Sequence, residues 1–559
     1  MVAIMYVEKI KSRRADKVYR QILLRESYRE PGASRSKVKH RTLLNLTHSD
    51  PKDIAAIEMG LKYKDDLSKL KELAQVEVKI KQGLSVGAVW VLWRIAQGVG
   101  LASALGGSQP AGLVLWQVFA RLINQGSRLS AVRLAQEQAA GEVLGLASFN
   151  EDDLYDSMAW LDQRQAKIED ALYRKRHSSN GHKLFLYDVT SSYLEGTENA
   201  YAAYGYNRDG KKGKLQIVVG LLTDSEGYPV SVEVFKGNTQ DPKTVWSQVR
   251  KVADRFQATE VIFVGDRGML KSAQLSDLEA ERFHYLTAIT KPQIEALIKK
   301  NFIRLSMFEE RLCEVVLEGV RYLLRRNPER AAEIAASRED KFRCLAALCR
   351  KKNDYLAGHP RAKVEVAIRE VRAYAERLRI EDWVLIEVEG RLITVDKDEA
   401  VLDQVSRLDG CSALRTDVAC ELSDAETLHS RYKDLAMVEQ AFRTLKTAHL
   451  ELRPVYVRTP AHTRAHVFIV MLAYLLRREL DRAWRQFDLT VEEGLSLLGT
   501  LCAEEVLIGE QGGYLSVPQP RQSLARLFEA LNITPPTTLP RTQSKVATKR
   551  KLPSRRKRS

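Results

Sequence analysis

The stretch from Lys183 to Ile289 restricts the fold of this chain most, because short apolar runs follow one another there in a distinctive order. Three runs joined by turns rich in Gly, Asn and Asp predict an antiparallel meander of strands. A helix opening at Asp241-Pro242, a further strand, a helix and a last strand complete the segment. The apolar runs are Leu184–Tyr187, Leu215–Leu222, Tyr228–Phe235, Val261–Val264 and Tyr285–Ile289. This order predicts a mixed α/β core, of the kind seen in RNase H, built on one sheet.

Two acidic residues follow strands of this predicted sheet. Asp188 comes directly after Leu184–Tyr187, and Asp266 follows Val261–Val264 after one glycine. Either residue alone is more typical of a turn than of a site. Two carboxylates at one edge of a sheet are costly unless they are protonated, paired or bound to a cation. Carboxylate oxygens suit Mg²⁺, so the pair predicts a magnesium site.

A third carboxylate, Glu439, lies in a predicted helix that begins at Leu428. Tyr432, Glu439 and Lys446 recur at intervals of seven residues and should share one helical stripe, with Arg443 on the same face. A buried stripe of Val438, Ala441, Phe442 and Leu445 would dock this helix against the core. Tyr and Lys are natural phosphate contacts, and Glu439 is a natural metal ligand. A surface ion pair between Glu439 and Arg443 is the alternative interpretation of those two residues.

The order Asp188, Asp266, Glu439 resembles the DDE transposases of bacterial insertion sequences, whose catalytic domain is RNase H-like. The helix also resembles the signature of one large subgroup: Tyr, two residues, Arg, three residues, Glu, six residues, Lys. Tyr432, Glu439 and Lys446 match its spacing, whereas Leu435 stands at the Arg position. Arg431 or Arg443 are the candidates to replace that arginine. The resemblance extends from about residue 180 to 480, with a weaker likeness before it.

The resemblance implies a function and a set of site residues. Asp188, Asp266 and Glu439 would be catalytic and would hold two Mg²⁺ ions, for which Mn²⁺ could substitute. Tyr432, Lys446 and Arg443 would contact DNA. The enzyme would cleave double-stranded DNA at the terminal inverted repeats of its element and transfer the freed 3′-hydroxyl into target DNA. It would act as a homodimer on the DNA, in the bacterial cytoplasm at the nucleoid, without a membrane partner.

The rest of the chain divides by composition around this core. We predict a basic β-hairpin with possible DNA contact in 1–50, a helical region that binds DNA or serves as a scaffold in 51–177, and an insertion domain in 292–410. The catalytic core would occupy 178–291 and, with the Glu439 helix, 411–485. C-terminal helices in 486–540 and a basic disordered tail in 541–559 would complete the chain.

Charge supports a polyanionic partner. The net charge of +16 lies entirely at the two ends, since residues 1–50 hold 12 basic against 5 acidic residues and residues 541–559 hold 9 basic and none acidic. Such ends suit a non-specific grip on DNA. A solubility tail beside a basic edge strand is the less specific explanation. The longest apolar run, Val467–Leu476, is half the length of a membrane span.

Two other functions fit parts of the pattern. A DNA-binding protein on an inactive transposase scaffold would keep the charge and the fold but would lack the chemistry. A glycoside hydrolase also uses paired carboxylates, but it would leave the basic ends unexplained and needs sugar-stacking aromatics near Asp188 and Glu439. The presence of all three carboxylates favours the active transposase.

Overall fold

The structure is a computed structural model that describes residues 4–14, 17–29, 38–64, 78–177, 183–256, 261–447, 450–453, 457–508, 513–542 and 545–549. The chain divides into two compact units. The smaller unit comprises residues 1–84, 501–519 and 536–541, and the larger comprises 85–500, 520–535 and 542–559.

The described residues of the smaller unit include two sheets, and the first of them is antiparallel. Lys17–Arg29 and Val38–Asn45 pair as the predicted N-terminal hairpin, and an additional strand, Ile4–Arg14, lies on the other side of Lys17–Arg29. The exposed side chains of Lys39 and Arg41 lie on the last of these strands, whereas Lys37 and the Pro31-Gly32 turn lie outside the described residues. A helix, Pro51–Lys62, follows, with the Asp50 side chain capping its first turn.

The second sheet of the smaller unit corrects one expectation. Cys502–Ile508, Gly513–Ser516 and Thr538–Leu539 are strands that assemble with Val78–Ser85. The prediction of helices throughout 486–540 is therefore wrong for these stretches, although Val491–Leu498 and Gln522–Ala530 are helical. The strand Cys502–Ile508 has a partner more than 400 residues earlier in the chain, so no local pattern reveals the pairing.

The larger unit begins with a helical region. Its helices pack around an interior in which Trp116 and Phe119 are fully buried. The indole N–H of Trp116 donates to the carbonyl of Ala131, which satisfies its single polar group. The helices are Gly87–Gly98, Leu101–Leu105, Gln109–Ile123, Arg128–Leu134, Ala140–Leu144, Glu151–Asp162 and Gln165–Arg176.

An eight-stranded mixed sheet forms the centre of the larger unit. We label its strands in chain order: β1 Lys183–Tyr193, β2 Gln216–Asp224, β3 Pro229–Lys236, β4 Val261–Gly265, β5 His284–Ala288, β6 Cys313–Leu317, β7 Val320–Arg326 and β8 Cys411–Thr416. They lie in the order β6-β7-β8-β5-β4-β1-β2-β3. β4 is parallel to both β1 and β5, and the other pairs are antiparallel. The meander β3-β2-β1 continued by parallel β4 and β5 is the predicted RNase H-like topology.

Helices cover both faces of this sheet. Phe185, Tyr187 and Val189 alternate along β1 and pack with Val245 and Val249 of the helix Pro242–Arg250. A short π-helical turn, Lys251–Arg255, extends that helix, and Ser272–Ala280 connects β4 to β5. On the opposite face lie three helices, which we label α1 Ala425–Lys433, α2 Leu435–Lys446 and α3 Pro460–Trp484.

The segment predicted as an insertion leaves and re-enters this sheet at neighbouring points. β6 and β7 extend the central sheet, and Arg326 at the end of β7 pairs with Cys411 at the start of β8. The backbone N–H of Asn327 donates to the carbonyl of Gly410 over 2.8 Å. Between them, helices and a hairpin pack around buried Trp383. The elements of 292–410 beyond the sheet are Lys291–Lys299, Leu305–Met307, Pro328–Gly358, Val364–Leu378, Glu381–Trp383, Val384–Glu389, Leu392–Lys397 and Glu399–Ser406.

Within the part of the chain that the structure describes, no helix is both long enough and apolar enough to cross a membrane. The long apolar run Val467–Leu476 belongs to α3, where it is buried within the larger unit.

Candidate active site

Asp188 lies on the face of β1 that is covered by α2. The strand continues to Tyr193, so the expectation that it ends at Asp188 is wrong, because pairing with β2 holds the strand together beyond that point. The parallel pairing with β4, however, stops at Tyr187 opposite Gly265. Asp188 and Asp266 therefore directly follow Tyr187 and Gly265, the last paired residues of β1 and β4. This register places the backbones of the two aspartates side by side.

The environment of Asp188 disfavours its charge. The pKa of this carboxyl is raised to about 7, mainly by burial and also by the nearby carboxylates of Asp266 and Glu439, while Arg208 acts in the opposite direction. The backbone N–H of Val189 donates to Asp188 Oδ1 over 2.7 Å and also favours the ionised form. Asp188 is thus an acidic group that accepts a proton near neutral pH.

Asp266 is exposed at the end of β4 and is held by two donors. Its Oδ1 accepts a hydrogen bond from the backbone N–H of Arg267 over 2.6 Å and one from the Tyr432 hydroxyl over 3.3 Å. Burial raises the pKa of Tyr432, and Asp266 and Glu439 raise it further, so the phenol stays protonated and donates. This contact joins the end of β4 to the helix pair that carries Glu439.

The single helix predicted from Leu428 is interrupted. α1 ends at Lys433 and α2 begins at Leu435. At the junction the backbone N–H of Asp434 donates to the carbonyl of Arg431, and that of Met437 to the carbonyl of Asp434, which are the i→i+3 bonds of a tighter turn. Tyr432 therefore lies on α1 and Glu439 on α2. Of the predicted stripe, only Glu439 and Lys446 lie on one continuous helix.

Glu439 projects from the exposed side of α2, whose other side is docked against the sheet. Val438, Ala441, Phe442 and Leu445 are buried, as the predicted stripe required. Leu435, at the position of the signature arginine, is also buried and belongs to this apolar side. Among the candidate replacements, Arg431 forms an ion pair with Asp434 over 3.2 Å.

The structure brings the three predicted carboxylates into one neighbourhood, since Asp266 and Glu439 both act on the pKa of Asp188. Among the described residues, no Lys or Arg forms an ion pair with any of the three. The set offers only hard oxygen donors with uncompensated negative charge, which is the chemistry that suits a divalent cation. No three His, Cys, Asp or Glu side chains in the described ranges lie close enough to hold one ion as they stand.

Basic side chains surround the carboxylates, and most are already paired. Lys446 Nζ lies 2.6 Å from Asp209 Oδ1, and the Arg208 guanidinium binds both carboxylate oxygens of Asp241 over 2.5–2.6 Å. Arg443, in contrast, is exposed and has no ion pair among the described residues, so the predicted surface pair with Glu439 is not formed.

Two residues of this neighbourhood escaped the sequence interpretation. Arg208 and Asp209 lie in the connection between β1 and β2, outside every motif that the sequence analysis identifies. The Asp209 carboxylate is 237 residues away from Lys446 along the chain. No spacing rule links positions that far apart, so the contact emerges only from the fold.

Comparison with known proteins agrees with this geometry. Residues 179–476 match the family model described as the transposase DDE domain, which covers more than half of the chain. The chain therefore belongs to that family. Residues 7–72 match the N-terminal domain of the IS1634 family transposases, so the chain is an insertion-sequence DDE transposase. Membership of the Tyr-Arg-Glu-Lys subgroup stays a prediction.

The chain was also compared with solved structures and with curated proteins. A cryo-EM structure of the piggyBac transposase synaptic complex with hairpin DNA aligns with a TM-score of 0.35 and 7% identity over 74% of this chain and 76% of that chain. That level of similarity adds nothing to the family match. None of the curated proteins compared with the chain matches it.

Proposed function

We propose that this transposase cleaves DNA at the ends of its element with Mg²⁺ and transfers the resulting 3′-hydroxyl into target DNA. The observation that carries the proposal is that Asp266 and Glu439 lie near enough to Asp188 to raise its pKa, while none of the three is in an ion pair with a Lys or Arg among the described residues. Three such carboxylates are stable together when a divalent cation neutralises them. Family membership independently supports a transposase that uses a divalent metal.

Asp188, Asp266 and Glu439 are the proposed ligands of two Mg²⁺ ions, and Mn²⁺ would substitute. When bound, such ions activate the attacking water or 3′-hydroxyl and stabilise the leaving oxygen of the phosphodiester. The protein prepares the ligands. The Tyr432 hydroxyl orients Asp266 Oδ1, and the positive charge of Arg208 helps Asp188 to release its proton.

Lys446, Arg443 and Tyr432 are the proposed DNA contacts. Arg443 stands one helical turn after Glu439 on the exposed side of α2, where it can reach a phosphate directly. Lys446 follows at the end of the same helix, with its charge held by Asp209. The strand Val38–Asn45, whose residues are all exposed, would add non-specific contacts through Lys39 and Arg41. Duplex DNA of the terminal inverted repeats and of the target would be bound by a homodimer at the bacterial nucleoid.

The test is cleavage of a duplex that carries the terminal inverted repeats of the element. We expect the full-length protein with Mg²⁺ to nick the repeat end, to leave a 3′-hydroxyl and to join it to a plasmid target. Addition of EDTA should abolish both products while leaving DNA binding measurable. Products that form equally well in EDTA would contradict the proposed metal chemistry.

Replacement of Asp209 by Asn should strengthen the binding of duplex DNA by about two- to tenfold at low salt. In the wild type a phosphate must displace Asp209 before it reaches Lys446, and the amide removes that competition. Because one more cation becomes available, the slope of log affinity against log salt concentration should steepen by about 0.9. Fluorescence anisotropy across a salt series measures both quantities.

Glu333→Gln is the matched control, because it frees Arg330 from an exposed ion pair on the helix Pro328–Gly358. It should leave the affinity and the slope unchanged. Weaker DNA binding by Asp209→Asn would show instead that Asp209 positions Lys446 and does not compete with the phosphate.

A further inference from the structure

The connection between β1 and β2 is a surface loop that is held firmly in place. Asn199 donates to Val457 O and to Thr463 Oγ1 in a buried contact, and Arg208 N donates to Ser191 Oγ. Gly205 packs against the backbone of Gly237 so closely that a Cβ on Gly205 would lie 2.1 Å from the Gly237 carbonyl oxygen. The Gln216 amide closes the same junction by donating to the carbonyls of Tyr206 and Gly237.

Two tyrosines stand out from this firm backbone. Tyr204 is 69% exposed and Tyr206 is 81% exposed, on either side of Gly205. Both rings are therefore accessible to a ligand, although the backbone that carries them is fixed. The Arg208 guanidinium lies 5.7 Å from the Tyr206 ring centroid, and exposed Lys211 and Lys212 follow in the same loop. The loop therefore presents aromatic faces beside positive charge.

The loop also borders the candidate active site. Asp209 reaches Lys446 at the end of α2, and Arg208 reaches Asp241 at the start of the helix Pro242–Arg250. Arg208 also acts electrostatically on Asp188. A strand whose phosphate lay at the carboxylates would thus have neighbouring nucleotides within reach of this loop.

The chemistry of the loop selects among nucleic-acid ligands. In a duplex both faces of each base are already stacked, so an exposed ring can add little there. Unpaired bases offer free faces that stack on aromatic side chains whatever their sequence, and adjacent cations hold the phosphates between them. Tyr204 and Tyr206, with the exposed Lys211 and Lys212, match that combination.

We propose that Tyr204 and Tyr206 form a stacking platform for unpaired nucleotides that flank the cleaved phosphate. The proposal rests on the proposed function of the carboxylate site and assigns a separate role to the loop. The platform holds the unpaired strand end beside the site, whereas the duplex is bound by the proposed contacts Lys446, Arg443 and Tyr432.

The experiment measures binding of full-length protein to an oligothymidylate of about twelve nucleotides, a length that spans one typical single-strand site. A blunt duplex of equal length is the second probe. The Tyr204→Ala/Tyr206→Ala double variant should bind the oligothymidylate about tenfold more weakly or worse, and the duplex within about twofold of wild type. Tyr204→Phe/Tyr206→Phe should behave as wild type, because stacking requires the ring and not the hydroxyl.

Tyr355→Ala removes a tyrosine that is 55% exposed on the helix Pro328–Gly358 and should leave both affinities unchanged. An oligonucleotide with 2-aminopurine adds a direct readout: its fluorescence should be quenched by wild type and by the Phe variant but not by the Ala variant. Equal binding and quenching by the Ala variant would overturn the platform even if wild type cleaves DNA. Absence of metal-dependent cleavage in wild type would refute the proposed function, but it would not change the conclusion on whether Tyr204 and Tyr206 stack on unpaired bases.

Discussion

Replacing Glu439 by Gln is expected to reduce metal-dependent DNA cleavage by at least about a thousandfold, the scale seen when a member of a cooperating catalytic set is removed. The amide keeps the size of the side chain but loses the negative charge that a divalent cation requires. Folding should be unaffected, because Glu439 is exposed and the described residues give it no ion pair. DNA affinity should stay within about threefold of wild type, since cationic residues make the main contacts to the phosphate backbone of DNA.

The matched control is Glu426→Gln, which changes an exposed glutamate in the first turn of α1. It should cleave at the wild-type rate. Gel-based cleavage of terminal-repeat DNA gives the rate, and anisotropy gives the affinity. Wild-type cleavage by Glu439→Gln would remove Glu439 from the catalytic set, and equal loss in both variants would point to a general defect of the helix pair.

Replacing Asp188 by Asn is expected to stabilise the metal-free protein strongly at pH 8 and only slightly near pH 4. The folded-state pKa of Asp188 is raised to about 7 from an ordinary value of 3.8, mainly by burial. Well below pH 3.8 the carboxyl is protonated in both the folded and the unfolded state, so it costs nothing. As the pH rises to 7 the unfolded chain ionises first, and the folded protein loses stability on the order of a few kcal/mol.

The free energy of unfolding in EDTA, measured by urea titration between pH 4 and pH 8, tests this expectation. The gap between Asp188→Asn and wild type should open through that window and level off above pH 7. Asp488→Asn, at an exposed position, should follow the wild type throughout. Saturating Mg²⁺ should close the gap at pH 8, because a cation stabilises the ionised wild type alone. A gap that is independent of pH would show that Asp188 is not the titrating group.

The central strands of the fold could be predicted from the local sequence pattern, because each strand of the meander, and β4, carries its own apolar run. The two aspartates were found for the same reason, since polar residues that interrupt buried strands are conspicuous. The extension of β1 to Tyr193 was missed because Thr190, Ser191 and Ser192 are polar, and pairing with β2 keeps them in the strand. The strand Ile4–Arg14 was missed as well, since its many charged residues hide the alternation.

Contacts between distant parts of the chain explain the remaining differences at the site. The pairing of Asp209 with Lys446 depends on where the β1–β2 loop meets the end of α2, which no spacing encodes. The tighter turn at Asp434 changes the hydrogen bonding of a single residue. The spacing of apolar residues along a helix does not predict so short an interruption. The sequence nominates Asp188, Asp266 and Glu439 as candidates, whereas the proton affinity of Asp188 depends on burial that only the fold determines.

The pairing of Arg326 with Cys411 has a consequence for how the length of this chain can vary. Because β7 and β8 are hydrogen-bonded neighbours, residues 328–409 have the topology of an enlarged hairpin loop, with Asn327 and Gly410 at its neck. The ends of such a loop are already as close as a two-residue turn requires, so its size is uncoupled from the strand register that places Asp266. Relatives could enlarge, shrink or exchange this excursion while β4, β5 and the carboxylate edge stay in register.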